Sequence, residues 1–320
     1  MLESIKLPGT RRQTTRLGFG CSDLMGGLSE RESLRLLETA FDAGIQHFDV
    51  APSYGHGQAE RCLGKFLRGK TDCVTIATKY GILPPSQAGL LNAARTVLRP
   101  FARKLPAVRN RLAHAAAGLK TKAHFSAQEA QRSLEHSLRE LELERIDLWL
   151  LHEATAADLD GSDLLPFLQQ TQQEGRIGAF GCGTERGNLK ALWERHPEFC
   201  PALQYEWSVM EKSPDFPAAF CVRHRAVSGA IQMIQDSFRR DSSLCRRWSD
   251  ALDANLSEPE TLVTLLLRAA LSSNPNSIVL FSSRVPGHIQ ANVSGVGDPA
   301  SDARSQRLLE LVRRHVYDSR

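Results

Sequence analysis

From residue 16 onward the chain alternates short apolar runs with amphipathic segments. The runs at 16–21, 47–52, 74–80, 146–152, 177–183, 202–207, 225–231 and 277–283 predict eight strands. Between them lie helical patterns. Residues 31–43 place Leu34, Leu37 and Ala40/Phe41 at three- and four-residue spacing, and 128–143 follow Ser126-Ala-Gln-Glu129, the pattern of a capping box. Residues 163–174 end at Gly175, a C-terminal stop, and 262–272 precede the last strand.

Apolar strands alternating with helices predict parallel strands joined by right-handed crossovers. Eight such units predict a closed (β/α)8 TIM barrel. An open doubly wound sheet is the alternative, but the first strand-to-helix turn lacks G-x-G-x-x-G. Residues 4–7 and 11–15 flank Pro8-Gly9, the signal of an N-terminal β-hairpin placed to plug the bottom of the barrel. Residues 84–125 break the rhythm. They are too long for an ordinary loop of roughly 2–6 residues and predict an insertion after the third strand, at the C-terminal face. No linker separates a second unit, so residues 1–320 are expected to form one domain.

Composition narrows the class. Apolar residues make up 42% of the 320 and charged residues 24%, enough to bury a full core. No run approaches the ~20 apolar residues of a membrane span, and the first residues lack the apolar stretch of a secretory signal. A cytoplasmic protein without membrane contact is the expectation. The seven cysteines are scattered with no C-x-x-C, which predicts reduced thiols and no metal site. The net charge of +4 is unevenly spread. Residues 84–125 hold eight Lys/Arg and no acid, leaving the rest of the chain at −4. That argues against a nucleic-acid partner, whose binding charge would follow the fold and not one insertion.

In a barrel, polar residues at strand C-terminal ends are the candidates for chemistry. These are Asp49 and Tyr54 after the second strand, Lys79 ending the third and His152 ending the fourth. Lys79 carries the most information, because a lysine at the mouth of an apolar strand needs a carboxylate partner. A tyrosine hydroxyl with a pKa of about 10 is a poor acid at neutral pH. A lysine cation beside it stabilises the tyrosinate, an aspartate holds the lysine charged, and a histidine can hydrogen-bond a substrate oxygen. Such a set performs general acid/base catalysis without nucleophile or metal, and suits carbonyl reduction by hydride.

Phe48-Asp-Val-Ala-Pro-Ser-Tyr-Gly-His-Gly-Gln-Ala-Glu60 resembles the aldo-keto reductase signature, with its aspartate and tyrosine five residues apart. Thr75-Ile-Ala-Thr-Lys-Tyr-Gly81 is similar to that family's lysine strand and Ile146-Asp-Leu-Trp-Leu-Leu-His152 to its histidine strand. Gly175-Arg-Ile-Gly-Ala-Phe-Gly181 and Leu203-Gln-Tyr-Glu-Trp207 match the fifth and sixth strands in order, and Ser282-Ser-Arg-Val-Pro-Gly-His-Ile-Gln-Ala-Asn292 resembles the C-terminal phosphate-binding segment. The resemblance covers about residues 15–295. It implies an enzyme that interconverts a small-molecule carbonyl and an alcohol, with NADP(H) favoured as cofactor and NAD(H) the alternative. Tyr54 would be the proton donor, Lys79 and Asp49 its tuning pair, and His152 the residue orienting the carbonyl. Gln204 would contact the nicotinamide carboxamide; Ser282, Ser283 and Arg284 would hold the adenosine phosphate; Asn292 would contact adenine.

The sequence also departs from the family. Gly183-Thr184 stands where Ser-Asn is common, so that one carboxamide contact is lost or replaced by the Thr184 hydroxyl. The run Ala226-Val-Ser-Gly-Ala230 replaces a tyrosine context at strand seven, keeping Ser228 and putting Val227 at the ring, and His288 replaces an arginine. These departures leave room for a rival class, a cofactor-binding interaction protein with little turnover. The intact Asp49, Tyr54, Lys79 and His152 argue for catalysis.

Overall fold

The computed structural model describes residues 2–83, 122–212, 214, 216 and 219–318. Two short strands, β1 (Ser4–Lys6) and β2 (Gln13–Thr15), form an antiparallel hairpin. Eight more follow: β3 (Leu17–Gly20), β4 (His47–Asp49), β5 (Thr75–Tyr80), β6 (Ile146–His152), β7 (Ile177–Gly183), β8 (Ala202–Glu206), β9 (Phe220–His224) and β10 (Ser277–Phe281). They close into a barrel in the order β10-β3-β4-β5-β6-β7-β8-β9, each neighbouring pair parallel. The helices are α1 (Glu30–Asp42), α2 (Ala59–Leu67), α3 (Ala127–Leu141), α4 (Ala156–Leu159), α5 (Leu164–Gln173), α6 (Leu189–Arg195), α7 (Ser228–Arg240), α8 (Ser242–Leu252), α9 (Pro259–Ser272), α10 (Pro286–Val296) and α11 (Ala300–Asp318). This is the (β/α)8 barrel with an N-terminal hairpin that the alternation predicts.

Local chemistry starts and stops the helices. Before α1, Ser29 and Glu32 form a reciprocal capping box: Ser29 Oγ accepts from the Glu32 amide and Glu32 Oε2 accepts from the Ser29 amide at 2.7 Å. Ser126 caps α3 by accepting from the Glu129 amide at 3.3 Å, but only half of the expected box forms. Glu129 Oε2 accepts instead from the His124 amide at 3.0 Å, so it ties down the chain entering the helix. Gly175, with φ of +76°, ends the connection after α5 as expected.

Strand alternation divides two apolar regions. One lies between barrel and helices, where Phe48, Trp149, Phe180 and Leu203 point outward. The other fills the barrel and contains Ala77, Leu148, Leu150, Ala179, Val222, Ile278 and Leu280 together with Leu7 from the hairpin. The hairpin therefore plugs the bottom. Arg12 clips it there, with Nη1 3.3 Å from both Asp147 carboxylate oxygens and Nη2 donating to the Thr71 carbonyl at 2.6 Å. Gly9 at the hairpin tip has φ of +64°, and a side chain there would overlap the Gly178 carbonyl of β7.

Gly181 marks the tightest strand contact. A Cβ at this position would overlap the Ala202 carbonyl of β8, and neither backbone can yield without breaking the ladder. Gly181→Ala is expected to destabilise the fold by about 1–3 kcal/mol, the usual cost of overpacking. A urea denaturation midpoint unchanged from the parent would contradict this close approach.

One strand lies elsewhere than the pattern predicts. The seventh barrel strand is β9, not residues 225–231. Its inward positions Phe220 and Val222 alternate with outward Cys221 and Arg223, and that buried arginine interrupts the apolar signal. The apolar run from Ala226 to Ile231 instead leads into α7, whose Ala230 and Ile234 are buried four residues apart. Most of the insertion expected at 84–125 lies outside the described residues. Its end returns to the barrel: Lys122 bridges Ile82, and Ala123 and Phe125 are buried. Among the described residues no helix is long and apolar enough to cross a membrane.

Candidate active site

Inward-facing positions at the C-terminal ends of the strands converge on one point. Asp49 comes from β4, Lys79 from β5, His152 from β6 and Gln204 from β8. Tyr54 arrives on the short turn that follows β4, where Gly55 and His56 both have φ of 57°. Gly55 could not carry a side chain there without meeting the Leu24 carbonyl, so the sharp turn that aims Tyr54 inward depends on that glycine.

Asp49, Lys79 and Gln204 are each 3% exposed and form one connected set. Lys79 Nζ donates to Asp49 Oδ1 at 2.6 Å and to the Val50 carbonyl at 2.9 Å. The second carboxylate oxygen, Oδ2, accepts from Gln204 Nε2 at 2.9 Å. Burial works against the charge on Lys79, but the Asp49 carboxylate and then the Tyr54 hydroxyl more than offset it and hold its pKa above the ordinary lysine range. The ammonium lies 5.2 Å from the centre of the Tyr54 ring. Burial raises the Tyr54 pKa, and the Lys79 charge and hydrogen bond pull it back. The Tyr54 and His152 rings meet edge-on, 6.1 Å apart at 83°. The structure thus brings together all four residues the sequence singles out.

The remaining predicted site residues are more dispersed. Thr184 is buried, its hydroxyl donating to the Ala154 carbonyl at 2.7 Å and accepting from Asn188. Ser228 begins α7 and donates to the Arg225 carbonyl at 3.3 Å. Ser282, Ser283 and Arg284 follow β10, and Arg284 pairs with Asp23. His288 lies on the first turn of α10 beside Glu260, while Asn292 is buried further along that helix.

Two histidines escaped the sequence reading. His224 ends β9 on the same face as Val222, and burial lowers its pKa while the Asp49 carboxylate partly offsets this. It occupies the strand end where Val227 was expected. His47, two residues before Asp49 on the same inward face, is completely buried. Its Nδ1 lies 3.0 Å from Thr75 Oγ1, and burial brings its pKa down to about 4, so it adds no positive charge beneath the carboxylate at neutral pH. Period-two alternation run from Phe220 and from Asp49 was the signal available for both.

The comparisons fit this geometry. The model of the aldo/keto reductase family matches residues 16–237. A D-threo-aldose 1-dehydrogenase of Pseudomonas sp is 34% identical over 52% of this chain and 49% of its own length. A pyridoxal 4-dehydrogenase of Microbacterium luteolum is 34% identical over 66% of this chain and 64% of its own. The match thus spans about half to two thirds of these relatives. Among solved structures, a glycerol dehydrogenase from Gluconobacter oxydans superposes with a TM-score of 0.68 at 18% identity, covering 98% of this chain and 96% of that one. An aldo/keto reductase from Klebsiella pneumoniae in complex with NADP and acetate superposes with a TM-score of 0.64 at 17% identity, covering 97% and 96%. These structural likenesses bear on the fold alone. With the family model matching well over half of its length, the chain belongs to the aldo/keto reductase family.

Proposed function

We propose that the protein is an oxidoreductase that interconverts a carbonyl and an alcohol with a nicotinamide dinucleotide, Tyr54 serving as general acid and base. The observation that carries this reading is the buried Lys79–Asp49 pair beside the Tyr54 ring, with His152 across from it. The Gln204 amide offers a test of fit for the cofactor. Its Nε2 is committed to Asp49, whereas Oε1 is buried and accepts no hydrogen bond from the described residues. An orphaned buried acceptor is costly unless a ligand donor meets it, and a carboxamide N–H is such a donor. Gln204 and the segment 282–292 would then hold the dinucleotide, which supplies or takes up the hydride when bound.

In the reducing direction, Tyr54 gives its proton to the carbonyl oxygen as the carbon gains hydride, and the tyrosinate recovers a proton from solvent. Lys79 limits the cost of the tyrosinate. Asp49 keeps Lys79 charged, and His152 orients the oxygen. Oxidation runs through the same residues in reverse.

The named activities of the relatives make aldoses and pyridoxal the first substrates to try, alongside 4-nitrobenzaldehyde as a general carbonyl. Turnover is expected as a change in NADH or NADPH absorbance with at least one member of this panel. A protein that binds dinucleotide and turns over none of a broad aldehyde, ketone and aldose panel in either direction would count against the enzymatic reading.

A further inference from the structure

The stretch 282–292 has two basic side chains, Arg284 and His288, and each faces a carboxylate from elsewhere in the chain. Arg284 Nη2 donates to Asp23 Oδ1 at 2.5 Å, and His288 Nε2 lies 3.2 Å from Glu260 Oε1. Asp23 belongs to the loop after β3, and Glu260 to the first turn of α9. The two carboxylates therefore come from two different parts of the chain, one after the first barrel strand and one after the seventh. Between them they leave that connection with no surplus of positive charge from its own two basic residues.

We propose that Asp23 determines the choice of cofactor: by pairing with Arg284 it favours a ribose 2′-hydroxyl over a 2′-phosphate, and so NAD(H) over NADP(H). This rests on the reading above, in which the adenosine end of a nicotinamide dinucleotide lies at 282–292. A phosphate monoester carries about 1.5–2 negative charges at neutral pH. On Arg284 it would share one guanidinium with a carboxylate already at hydrogen-bond distance, and the two anions would repel. A hydroxyl has no such conflict, since it can donate to the carboxylate and leave the ion pair intact. An acid that accepts from the ribose 2′-hydroxyl and an arginine that receives the 2′-phosphate are the two general solutions to this choice. Here both stand side by side, and the acid neutralises the arginine. The side chains of Arg284 and Asp23 are 56% and 32% exposed, so solvent screens the repulsion in part and the result is a preference, not an absolute block.

The opposite role for Asp23 would be to hold Arg284 in position for the phosphate, and the two roles differ in sign. Binding of NADPH, NADH, 2′,5′-ADP and 5′-AMP to the full chain can be followed by isothermal titration calorimetry for the parent, Asp23→Asn, Asp23→Glu, Arg284→Ala and the double variant Asp23→Asn/Arg284→Ala. The parent should bind NADH at least as tightly as NADPH. Asp23→Asn should tighten NADPH and 2′,5′-ADP by about tenfold while changing NADH and 5′-AMP less than about threefold. Asp23→Glu keeps the charge and should keep the parent's preference, and the double variant should lose the gain. The ion pair is solvent-accessible, and matching melting curves would establish that each variant is folded. Asp23→Asn that weakens NADPH, or leaves the NADPH-to-NADH ratio unchanged in a protein that binds both, overturns the role of Asp23 alone. A parent that binds neither dinucleotide overturns the cofactor reading and the role of Asp23 with it.

Discussion

Tyr54→Phe is expected to lower kcat by about 10²–10⁴-fold, the usual worth of a positioned general acid, while the dinucleotide Kd stays within about threefold of the parent. The substitution keeps the ring, and with it the edge-on contact to His152 at 6.1 Å and the position of Lys79 Nζ at 5.2 Å from the ring centre. Only the hydroxyl goes, so the protein should fold as before and the loss should fall on the chemical step. Because burial places the Tyr54 pKa above its ordinary value, the hydroxyl is protonated at neutral pH and ready to donate in the reducing direction. Steady-state kinetics at saturating cofactor, with a parallel binding titration, separate the two effects. A variant that retains more than about a tenth of the parent kcat would remove Tyr54 from the mechanism.

The barrel was legible because strand and helix periods are local properties. Seven of its eight strands fall within the predicted runs, whereas β9 does not, since its outward Arg223 breaks the apolar pattern. That arginine is buried through a bond from Nη1 to the Tyr205 hydroxyl at 2.6 Å and through the rings of Tyr205 and Trp207, partners that no local pattern reveals. The same limit applies at the site. Asp49, Tyr54, Lys79 and His152 could be read from strand ends, but the bond from Gln204 to Asp49 joins residues 155 apart and the Arg284–Asp23 pair joins residues 261 apart. These long-range bonds decide what the residues can do. Gln204 both steadies the carboxylate and keeps an acceptor that no described residue meets, while the Thr184 hydroxyl is engaged by Ala154 and Asn188.

Lys79→Met should reduce kcat by at least about tenfold and also move the pH profile of the remaining activity upward. The sign follows from the forces on Tyr54. Burial raises its pKa and the Lys79 cation lowers it, so removing the cation leaves the raising effect unopposed. A weaker acid gives up its proton less readily, which lowers kcat. In the reducing direction Tyr54 must be protonated, so the descending alkaline limb moves to higher pH; in the oxidising direction tyrosinate is required, and the ascending limb moves the same way. Stability has to be separated from chemistry, because Lys79→Met leaves Asp49 buried with, among the described residues, the Gln204 amide alone on its carboxylate. Breaking one side of a buried pair costs about 3–5 kcal/mol, and a low activity could then reflect unfolding. The double variant Lys79→Met/Asp49→Asn removes the stranded charge as well. It should recover much of the lost thermal stability and none of the lost kcat. Recovery of activity along with stability would make Lys79 a structural partner of Asp49. An unshifted alkaline limb in an active, folded Lys79→Met would show that the lysine does not govern the ionisation of Tyr54.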